Sequence, residues 1–407
     1  MKVIKYGSRE LEKIYNRTLA RTKYITTRAA KIIEDVRMNG DEAIIRYTKK
    51  YDHVKLQYRQ IKVSQAEISG AYQNISPDFA ANLKVIIENV TRFYKRQIKK
   101  SWKIRDKDGV ILGEQFTPLD SVGIYVPAGQ APLVSTVYMT VLPAKIAGVK
   151  RIVLITPPDK SGNINPHILV VADLLKVDEI YKAGGAQAIA ALAFGTRTIK
   201  PVVKIVGPGN KFVTEAKRQV YGYVDIDMLA GPTELVIIAN RYSPASFLKA
   251  DILAQCEHVG GFAVLITNSK AQAKVFKNEI ADGYVVLVKN LNQAVEVANL
   301  IAPEHLEIML KNPAKIIKRI HNAGAIFLGS YSPVAVGDYA AGPSHVLPTA
   351  GTAKFFSGLS LCDFIKTNHI ISYSKKALEN IRTPIEKIAE IEGLSKHLDS
   401  VKVRFMC

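Results

Sequence analysis

The feature that most constrains the fold is a repeated order of apolar strand, glycine- or proline-rich turn and helix, which begins near Ser121. Four segments there read as buried strands with helical segments between them: SVGIYVP, RIVLITPP, EIYKAGG and VKIVGPG. A second series follows: ELVIIAN, FAVLITN, YVVLV, LEIML and AIFLGS. Strands that alternate with helices form parallel sheets covered on both faces. The sequence therefore predicts an α/β fold with two Rossmann-like parallel-sheet domains.

The two series share a weak similarity, because AKIAGVKRIVLITPP and AQCEHVGGFAVLITN both run from a helix through a glycine into a strand. An ancient duplication or chance would each explain it. Outside these series, the first 22 residues are predicted to form a peripheral arm. Apolar spacing predicts a helix over Thr27–Tyr51 that stops at Asn39-Gly40 and resumes at a capping Asp41. A second helix is predicted over Phe79–Lys99, and the chain after Gly358 is predicted to be helical with a strand-like KVRF at its end.

Composition excludes several classes of protein. The chain has 407 residues, of which 48% are hydrophobic and 23% charged, values ordinary for a globular protein rather than a disordered one. Its apolar runs are far shorter than the roughly 20 residues that a membrane span needs. The three cysteines, Cys256, Cys362 and Cys407, are too sparse for a disulfide scaffold and indicate a reducing compartment. Because the N-terminus also lacks the apolar core of a signal peptide, we expect a cytoplasmic protein.

The net charge of +20 makes nucleic acid an obvious candidate partner. The one dense basic segment, Arg92–Lys107, includes Tyr94 and Trp102, but it also reads as the solvated face of a helix that runs into a strand. No zinc-finger spacing or RNA-binding aromatic motif accompanies it. Lysines spread along the whole chain equally suit an anionic substrate or a dinucleotide.

Three glycine-rich turns follow predicted strands, at the edge where open α/β sheets bind ligands. They are VPAGQAP with Gly129, KAGGAQ with Gly184 and Gly185, and VGPGN with Gly207 and Gly209. The GxGxxG fingerprint is absent, and any one of these glycines could serve turn geometry alone. Together they predict a crevice for a nucleotide or a phosphate.

Several of the eight histidines stand beside other polar residues. These groups are Gln255 with His258, Glu304 with His305, Asp338 with His345, and His397. Each could be a capping or surface residue, but together they offer imidazole, carboxylate and amide ligands that suit a zinc-like ion. Cys256 could carry an aldehyde oxidation through a thiohemiacetal. It could equally be a small core residue, since it should point away from the Gln255 and His258 face.

A family resemblance covers these motifs in order, from about residue 25 to 400. The blocks are RMNGDEAIIRYTKKYD, GIYVPAGQAPLVSTVYMTVLPAKIAGV, AGGAQAIAALAFGT, VGPGN, AGPTE, AQCEH, APEHLE and GDYAAGPSHVLPTAGTA. The sequence resembles the histidinol dehydrogenase family. This resemblance implies oxidation of L-histidinol through L-histidinal to L-histidine with two NAD⁺, the last step of histidine biosynthesis. It also implies a homodimer with one Zn²⁺ per subunit.

The resemblance further implies a set of site residues. The metal ligands would be Gln255, His258, Asp338 and His397. The same four residues would contact the substrate together with Thr233, His305 and Glu392. NAD would contact Tyr125, Gln187 and Asn210. His305 would accept the hydroxyl proton, and Glu304 would activate the water that adds to the aldehyde. Thr233 stands where the family usually has serine, so its hydroxyl is kept while a methyl group is added.

The expected organisation is an N-terminal arm, two α/β domains and a C-terminal dimerisation domain. The arm is residues 1–22; the first domain, with the zinc and catalytic residues, is 23–120 with 233–358; the NAD-binding domain is 121–232; and the dimerisation domain is 359–407. Glu392 and His397 would complete the partner subunit's site. The alternatives are a related zinc- and NAD-dependent alcohol dehydrogenase that acts on another small polar alcohol and, in a different class, a basic nucleic-acid-binding protein.

Overall fold

The computed structural model describes residues 1–17, 22–128, 131–258 and 260–406. Gly129 and Cys407, which the sequence analysis singled out, lie outside these ranges. The predicted α/β fold is confirmed. Residues 1–97 and 119–364 form one compact unit, and residues 98–118 with the C-terminal residues from Ile365 form a second unit.

The helices and strands are numbered in chain order within the described ranges. The strands are β1 (Lys2–Lys5), β2 (Trp102–Arg105), β3 (Ile111–Pro118), β4 (Ser121–Tyr125), β5 (Arg151–Thr156), β6 (Glu179–Lys182), β7 (Lys204–Val206), β8 (Asp225–Ile226), β9 (Glu234–Ala239), β10 (Phe262–Thr267), β11 (Tyr284–Leu287), β12 (His305–Met309), β13 (Ala325–Leu328) and β14 (Ile365–Ser372). The helices are α1 (Arg9–Tyr15), α2 (Lys23–Tyr51), α3 (Gln65–Ala71), α4 (Pro77–Lys95), α5 (Val134–Ala147), α6 (Pro166–Leu174), α7 (Gly185–Phe194), α8 (Lys211–Val220), α9 (Ala245–Cys256), α10 (Lys270–Glu279), α11 (Leu291–Ile301), α12 (Ala314–Ile317), α13 (Val334–Tyr339), α14 (Lys375–Ile391) and α15 (Ser395–Lys402).

The first unit contains two parallel sheets. One has the strand order β6-β5-β4-β7-β8, and the other has the order β1-β11-β10-β9-β12-β13. The central strands are buried along their whole length, as expected for strands covered by helices on both faces. Buried aliphatic side chains fill the layers between sheets and helices. No helix within the described ranges is long and apolar enough to cross a membrane.

The long helix α2 bends where the sequence predicts a stop. Gly40 has φ +50° and ψ −125° inside the helix, a backbone conformation that residues with a Cβ rarely adopt. Asp41 directly after the bend is buried and accepts a hydrogen bond from the Thr198 hydroxyl (2.6 Å). The second half of α2 packs along α7, so it covers the five-stranded sheet rather than the six-stranded one.

The second unit is an antiparallel sheet of order β14-β3-β2 with α14 and α15. The sequence places residues 23–120 in the first domain. In the structure, residues 98–118 belong with the C-terminal residues, because β3 pairs with β14 over eight residue pairs, from Ile365 with Pro118 to Ser372 with Ile111. This pairing joins segments far apart in sequence, and no local pattern signals it.

Two smaller expectations differ from the structure. Within the predicted N-terminal arm, residues 2–5 form β1, an edge strand of the six-stranded sheet, and Leu11 and Ile14 are buried against that sheet. Alternating residues in a strand of four are too few to reveal this from the sequence. The C-terminal KVRF is not a strand, since Val403–Phe405 forms a 3₁₀ turn that continues α15.

Candidate active site

The two predicted bases lie at the amino edge of the six-stranded sheet. Glu304 directly precedes β12, and His305 is its first residue, paired with Leu235 of the neighbouring β9. Glu304 Oε2 accepts a hydrogen bond from the backbone N–H of Glu234 (2.9 Å), and the nearby Thr233 side chain also favours the charged carboxylate. Burial raises the pKa of Glu304 to about 7, although the neighbouring imidazole opposes the shift. This carboxyl can therefore gain or lose a proton near neutral pH.

His305 is oriented by its backbone neighbour. Its Nδ1 donates to the carbonyl oxygen of Glu234 (3.1 Å), so the other ring nitrogen, Nε2, faces the site. Nε2 is buried without a hydrogen bond, and Asp338 Oδ1 lies 3.5 Å away. Burial alone would lower the pKa of His305, but the Glu304 and Asp338 carboxylates overcome it and raise the pKa to about 9. The ring lies between two carboxylates, with Glu304 3.7 Å from Nδ1 and Asp338 on the Nε2 side, and its buried, unpartnered Nε2 is suited to exchange protons with a ligand.

The AQCEH turn reaches the same edge. α9 runs back from the carboxyl edge and ends at Cys256, and the following turn is closed by Gly261 N–H donating to the His258 carbonyl oxygen (2.9 Å). Phe262 N–H then donates to the Thr233 carbonyl oxygen (3.2 Å), which places this turn beside the Thr233 segment. Gln255 is buried and its Nε2 has no hydrogen-bond partner, whereas His258 is exposed.

Asp338 reaches this edge from α13, the helix that follows β13. Its backbone carbonyl accepts from Nδ1 of His345 (3.0 Å), and Nε2 of His345 accepts from the Thr136 hydroxyl (3.2 Å). Burial lowers the pKa of His345, which keeps the ring neutral and fixes these two roles. Tyr138 adds a hydrogen bond to the carbonyl oxygen of Tyr339 (3.0 Å). Thr136 lies in the first turn of α5, directly after β4, so Asp338 is connected to the carboxyl edge of the five-stranded sheet.

The residues at the amino edge have the donor chemistry that Zn²⁺ prefers, namely imidazole nitrogen and carboxylate or amide oxygen. Yet no group of three or more His, Cys, Asp or Glu side chains in the described ranges is close enough to hold a metal ion. One predicted ligand, Gln255, is an amide, and another, His397, lies in the second unit on α15. Glu392 also lies in that unit, as the residue that ends α14. Both Glu392 and His397 are exposed there.

The three predicted cofactor contacts lie at the carboxyl edge of the five-stranded sheet. Tyr125 ends β4 and is buried, and its hydroxyl accepts from Gly185 N–H (3.1 Å). Gln187 in the first turn of α7 is buried, and its Oε1 has no hydrogen-bond partner. Asn210 is the N-cap of α8, where its side-chain oxygen accepts from the N–H groups of Phe212 (2.9 Å) and Val213 (3.2 Å). This is the edge at which parallel sheets bind nucleotides.

A buried ion pair fixes the turn that leads to Asn210. Lys217 pairs with Asp227, which accepts from Gly207 N–H (2.7 Å), while Lys217 donates to the Gly207 carbonyl oxygen (3.0 Å). Gly207 has φ +115°, and a Cβ there would lie 2.2 Å from the carbonyl oxygen of Tyr125. Only glycine fits this close approach of two backbones.

The sequence analysis missed three acidic residues around the amino edge. Glu234 is buried, forms a paired hydrogen bond with Arg17, and accepts from Ala350 N–H (3.0 Å). Glu307 is buried two residues after His305, accepts from Val334 N–H (3.1 Å) at the start of α13, and interacts with Asp251 of α9. A charged residue within an otherwise apolar strand segment, as in HLEIM, is the sequence signal for Glu307.

Cys256 has the environment of a packing residue. Its side chain is partly buried against the cluster of Leu248, Ile252 and Phe276. Burial raises the pKa of its thiol, which lowers the thiolate fraction that a nucleophile needs. This agrees with its interpretation as a small core residue.

Fold and site together define an α/β protein with a buried acid–base group at the amino edge of one parallel sheet, connected through His345 to the helix that follows β4 of the other sheet. The profile of the histidinol dehydrogenase family matches residues 15–405. A histidinol dehydrogenase from Clostridium acetobutylicum is 48% identical over 393 residues, covering 92% of this chain and 91% of that protein. The Bacillus subtilis protein of the same name is 45% identical over 92% of this chain and 91% of its own length. The crystal structure of the histidinol dehydrogenase from Elizabethkingia anophelis superposes with a TM-score of 0.92 at 36% identity, covering 99% of this chain and 98% of that one.

The chain belongs to the histidinol dehydrogenase family and is an oxidoreductase. The two alternatives, a dehydrogenase for a different alcohol and a nucleic-acid-binding protein, are not favoured.

Proposed function

We propose that this enzyme oxidises L-histidinol through L-histidinal to L-histidine with two NAD⁺ and a zinc ion. The observation that carries the proposal is the hydrogen-bonded path Asp338–His345–Thr136. It connects the amino edge of the six-stranded sheet, with its two bases, to the carboxyl edge of the five-stranded sheet, with its candidate cofactor residues. A hydride can pass directly only if alcohol and nicotinamide meet, and a hydrogen-bonded connection between the two sheet edges supports such a meeting.

The first oxidation needs a base for the hydroxyl proton. In its neutral form His305 carries the proton on Nδ1, held by the Glu234 carbonyl oxygen, and presents Nε2 as the acceptor. The second oxidation needs water to add to the aldehyde. Glu304, adjacent in the chain and held by Thr233 and Glu234, would take the proton from that water. Two bases on neighbouring residues can serve the two steps in turn without large movements.

The residues that would hold zinc are Gln255, His258 and Asp338 of one chain with His397. Zinc would supply a fixed point for the amine and imidazole of the substrate, both good donors for this ion. Gln255 would bind zinc through its amide oxygen, and its buried, unpartnered Nε2 could donate a hydrogen bond to the substrate. Glu392 and His397 would come from the partner subunit of a homodimer with two-fold symmetry, as the family resemblance implies. We place the enzyme in the cytoplasm, in keeping with its sparse cysteines.

The experiment that tests this function is NADH formation from L-histidinol, with the final product identified by chromatography and mass spectrometry. We expect two NADH per histidine formed, and NADP⁺ should not replace NAD⁺. A sulfonated diol or another small polar alcohol serves as the competing substrate. Faster turnover of such an alcohol, or a product that stops at the aldehyde, would contradict the proposal.

A further inference from the structure

A set of unsatisfied oxygen atoms lies behind the predicted cofactor contacts. In the described ranges, the buried side-chain polar atoms without a hydrogen-bond partner fall into two groups. Gln255 Nε2, His305 Nε2 and Glu307 Oε2 belong to the six-stranded sheet. The others are Thr48 Oγ1, Asp52 Oδ2, Thr156 Oγ1 and Gln187 Oε1. Buried polar atoms are rarely left unpaired in a native protein, so this second group offers hydrogen-bonding sites that a ligand can use.

Two of these residues, Thr156 and Gln187, lie at the carboxyl edge of the five-stranded sheet. Thr156 is the last residue of β5, and its carbonyl oxygen accepts from Ala183 N–H (3.0 Å), which places it beside the Ala183–Gln187 turn. Gln187 Oε1 lies 2.8 Å from the position of a Cβ on Gly185, so the amide folds back over that turn. Both side chains are buried within the sheet edge.

Helix α2 carries Thr48 and Asp52 to the same edge. Its bend at Gly40 lies against Thr196, directly after the end of α7, and Asp41 bonds to Thr198. α2 contacts α7, and Asp52 at its end influences the pKa of Tyr125, whose hydroxyl accepts from Gly185 N–H at the start of α7, so this half of α2 runs opposite to α7. At about 1.5 Å per residue, the twelve residues from the bend to Asp52 roughly match the length of α7. Asp52 therefore lies level with the first turn of α7, and its charge is felt by Tyr125.

The unpartnered atoms of this second group are mainly hydrogen-bond acceptors. Asp52 Oδ2 and Gln187 Oε1 can only accept hydrogen bonds, and the two threonine hydroxyls can do either. Burial raises the pKa of Asp52 to about 6, opposed only in part by His53, so the group is charged but poorly solvated at neutral pH. A ligand that donates hydrogen bonds from neutral hydroxyls would satisfy the carboxylate, whereas a phosphate would be repelled by it. In dinucleotide-binding proteins a carboxylate commonly recognises ribose hydroxyls in this way.

We propose that Asp52, supported by Thr156, binds the adenosine ribose diol of the cofactor and selects NAD⁺ over NADP⁺. This inference rests on the proposed NAD-dependent function and adds a specificity residue from α2, outside the sheet-edge turns that carry the predicted contacts. The 2′-phosphate of NADP⁺ would face the Asp52 carboxylate, and the repulsion between these two negative charges would exclude NADP⁺.

The test uses the zinc-loaded enzyme. Calorimetry measures the binding of ADP-ribose and of 2′-phospho-ADP-ribose, and steady-state kinetics give the KM values for NAD⁺ and NADP⁺. Asp52→Ala should weaken ADP-ribose binding about tenfold to a hundredfold, the range for loss of a charged hydrogen bond. Asp52→Asn should lower the preference for the unphosphorylated ligand by about tenfold or more. Asp178→Asn is the matched control, because Asp178 lies at the opposite edge of the same sheet, bonded to Ile152 N–H (2.8 Å).

Thr156→Val provides a second variant that keeps the side-chain shape. Since Thr156 Oγ1 has no partner in the free protein, its removal should leave thermal stability unchanged or raised, while ADP-ribose binding weakens severalfold. A fall in stability without a change in binding would assign a structural role and overturn the inference.

Two further outcomes would overturn it. ADP-ribose and NAD⁺ constants of Asp52→Ala within twofold of wild type would show that the carboxylate does not face the cofactor. If wild type discriminates against nicotinamide hypoxanthine dinucleotide and Asp52→Ala does not, Asp52 binds the adenine amino group rather than the ribose. Failure of the wild-type enzyme to oxidise histidinol would instead contradict the proposed function, while ADP-ribose binding still reports on Asp52.

Discussion

Glu304 shows how burial gives one residue a chemical role. Desolvation disfavours its charged form and raises its pKa to about 7, while the imidazole of His305, the Thr233 side chain and a hydrogen bond from Glu234 N–H favour the carboxylate. Thr233 stands where this family usually has serine. Threonine keeps the hydroxyl group, and its side chain still acts on the proposed base for water.

Glu304→Gln should separate the two half-reactions. The amide cannot accept the proton of the attacking water, so histidinal oxidation should slow by roughly 10²–10⁴-fold, while histidinol oxidation changes far less. In wild type, the rate of the aldehyde step should rise as the pH increases through about 7, where the Glu304 carboxylate forms. Stopped-flow measurement of NADH from each substrate checks both points. Equal slowing of the two steps would contradict the role of Glu304.

At the scale of single elements, the strand and helix segments were predictable because each carries its own apolar pattern. β9 and β10 are almost entirely apolar, and the helices that follow the strands begin at proline or at capping residues such as Ser269 and Asn290. The edge of the sheet was not predictable in the same way. Ligands of open α/β sheets usually lie at the carboxyl edge, yet Glu304 and His305 lie at the amino edge of theirs. The surroundings of Glu304 and His305 depend on which helices end at the amino edge of the six-stranded sheet. That arrangement is a property of the whole sheet and not of a local segment.

The predicted contacts Tyr125, Gln187 and Asn210 came from the family resemblance, and the structure puts all three at one carboxyl edge. The repeated order of strand, turn and helix had already predicted a ligand site at the carboxyl edge of this sheet. Asp52 had no such signal, because it ends a helix that is distant in sequence from the strands it covers. Long-range packing, rather than local pattern, decides which of its atoms are buried.

The turn between β7 and α8 offers a test of a single element. Gly207→Ala would introduce both an unfavourable positive φ and a clash with the Tyr125 carbonyl oxygen 2.2 Å away. Gly222 has a similar φ of +103° but no atom within 4 Å of its Cβ position. Gly222→Ala should therefore cost about 1–2 kcal/mol of unfolding free energy without changing KM for NAD⁺. Gly207→Ala should cost more and raise that KM. Equal effects in urea unfolding and kinetics would refute this account of the turn.

The Glu307 and Asp251 pair connects β12 to α9 and, through Val334, to α13. Burial and the Asp251 carboxylate raise the pKa of Glu307 from 4.5 to about 8. Between these two pH values, Glu307 is protonated in the folded protein and ionised in the unfolded chain. Stability should therefore fall as the pH rises between these values, by at most about 1.4 kcal/mol per pH unit. Glu307→Gln mimics the protonated form and should remove this dependence. Urea unfolding from pH 5 to 9 tests it, and parallel profiles for both proteins would contradict the shared proton.

At the scale of the whole molecule, the proposed zinc site draws on residues that are far apart in sequence. Within the described ranges no group of three His, Cys, Asp or Glu side chains is close enough to hold a metal ion, and the proposed ligand set adds the amide of Gln255 and His397 of the second unit. Treatment with a chelator should abolish activity, and Zn²⁺ should restore it. His258→Asn should lower the zinc content measured by atomic absorption, while His321→Asn, at an exposed position outside the proposed site, should not. Full activity of the metal-free protein would contradict the ligand assignment.

The proposed sharing of sites between subunits makes opposite predictions for two heterodimers. If His258 comes from one subunit and His397 from the other, a wild-type subunit paired with a His258→Ala/His397→Ala subunit gives one defect in each site and almost no activity. A His258→Ala subunit paired with a His397→Ala subunit gives one doubly defective site and one intact site, so about half the wild-type activity should return. The reason is that zinc needs its full set of protein ligands. Sites built within one chain would reverse the two results. Purification through two different affinity tags, followed by zinc analysis and an NADH assay of each heterodimer, distinguishes the two arrangements.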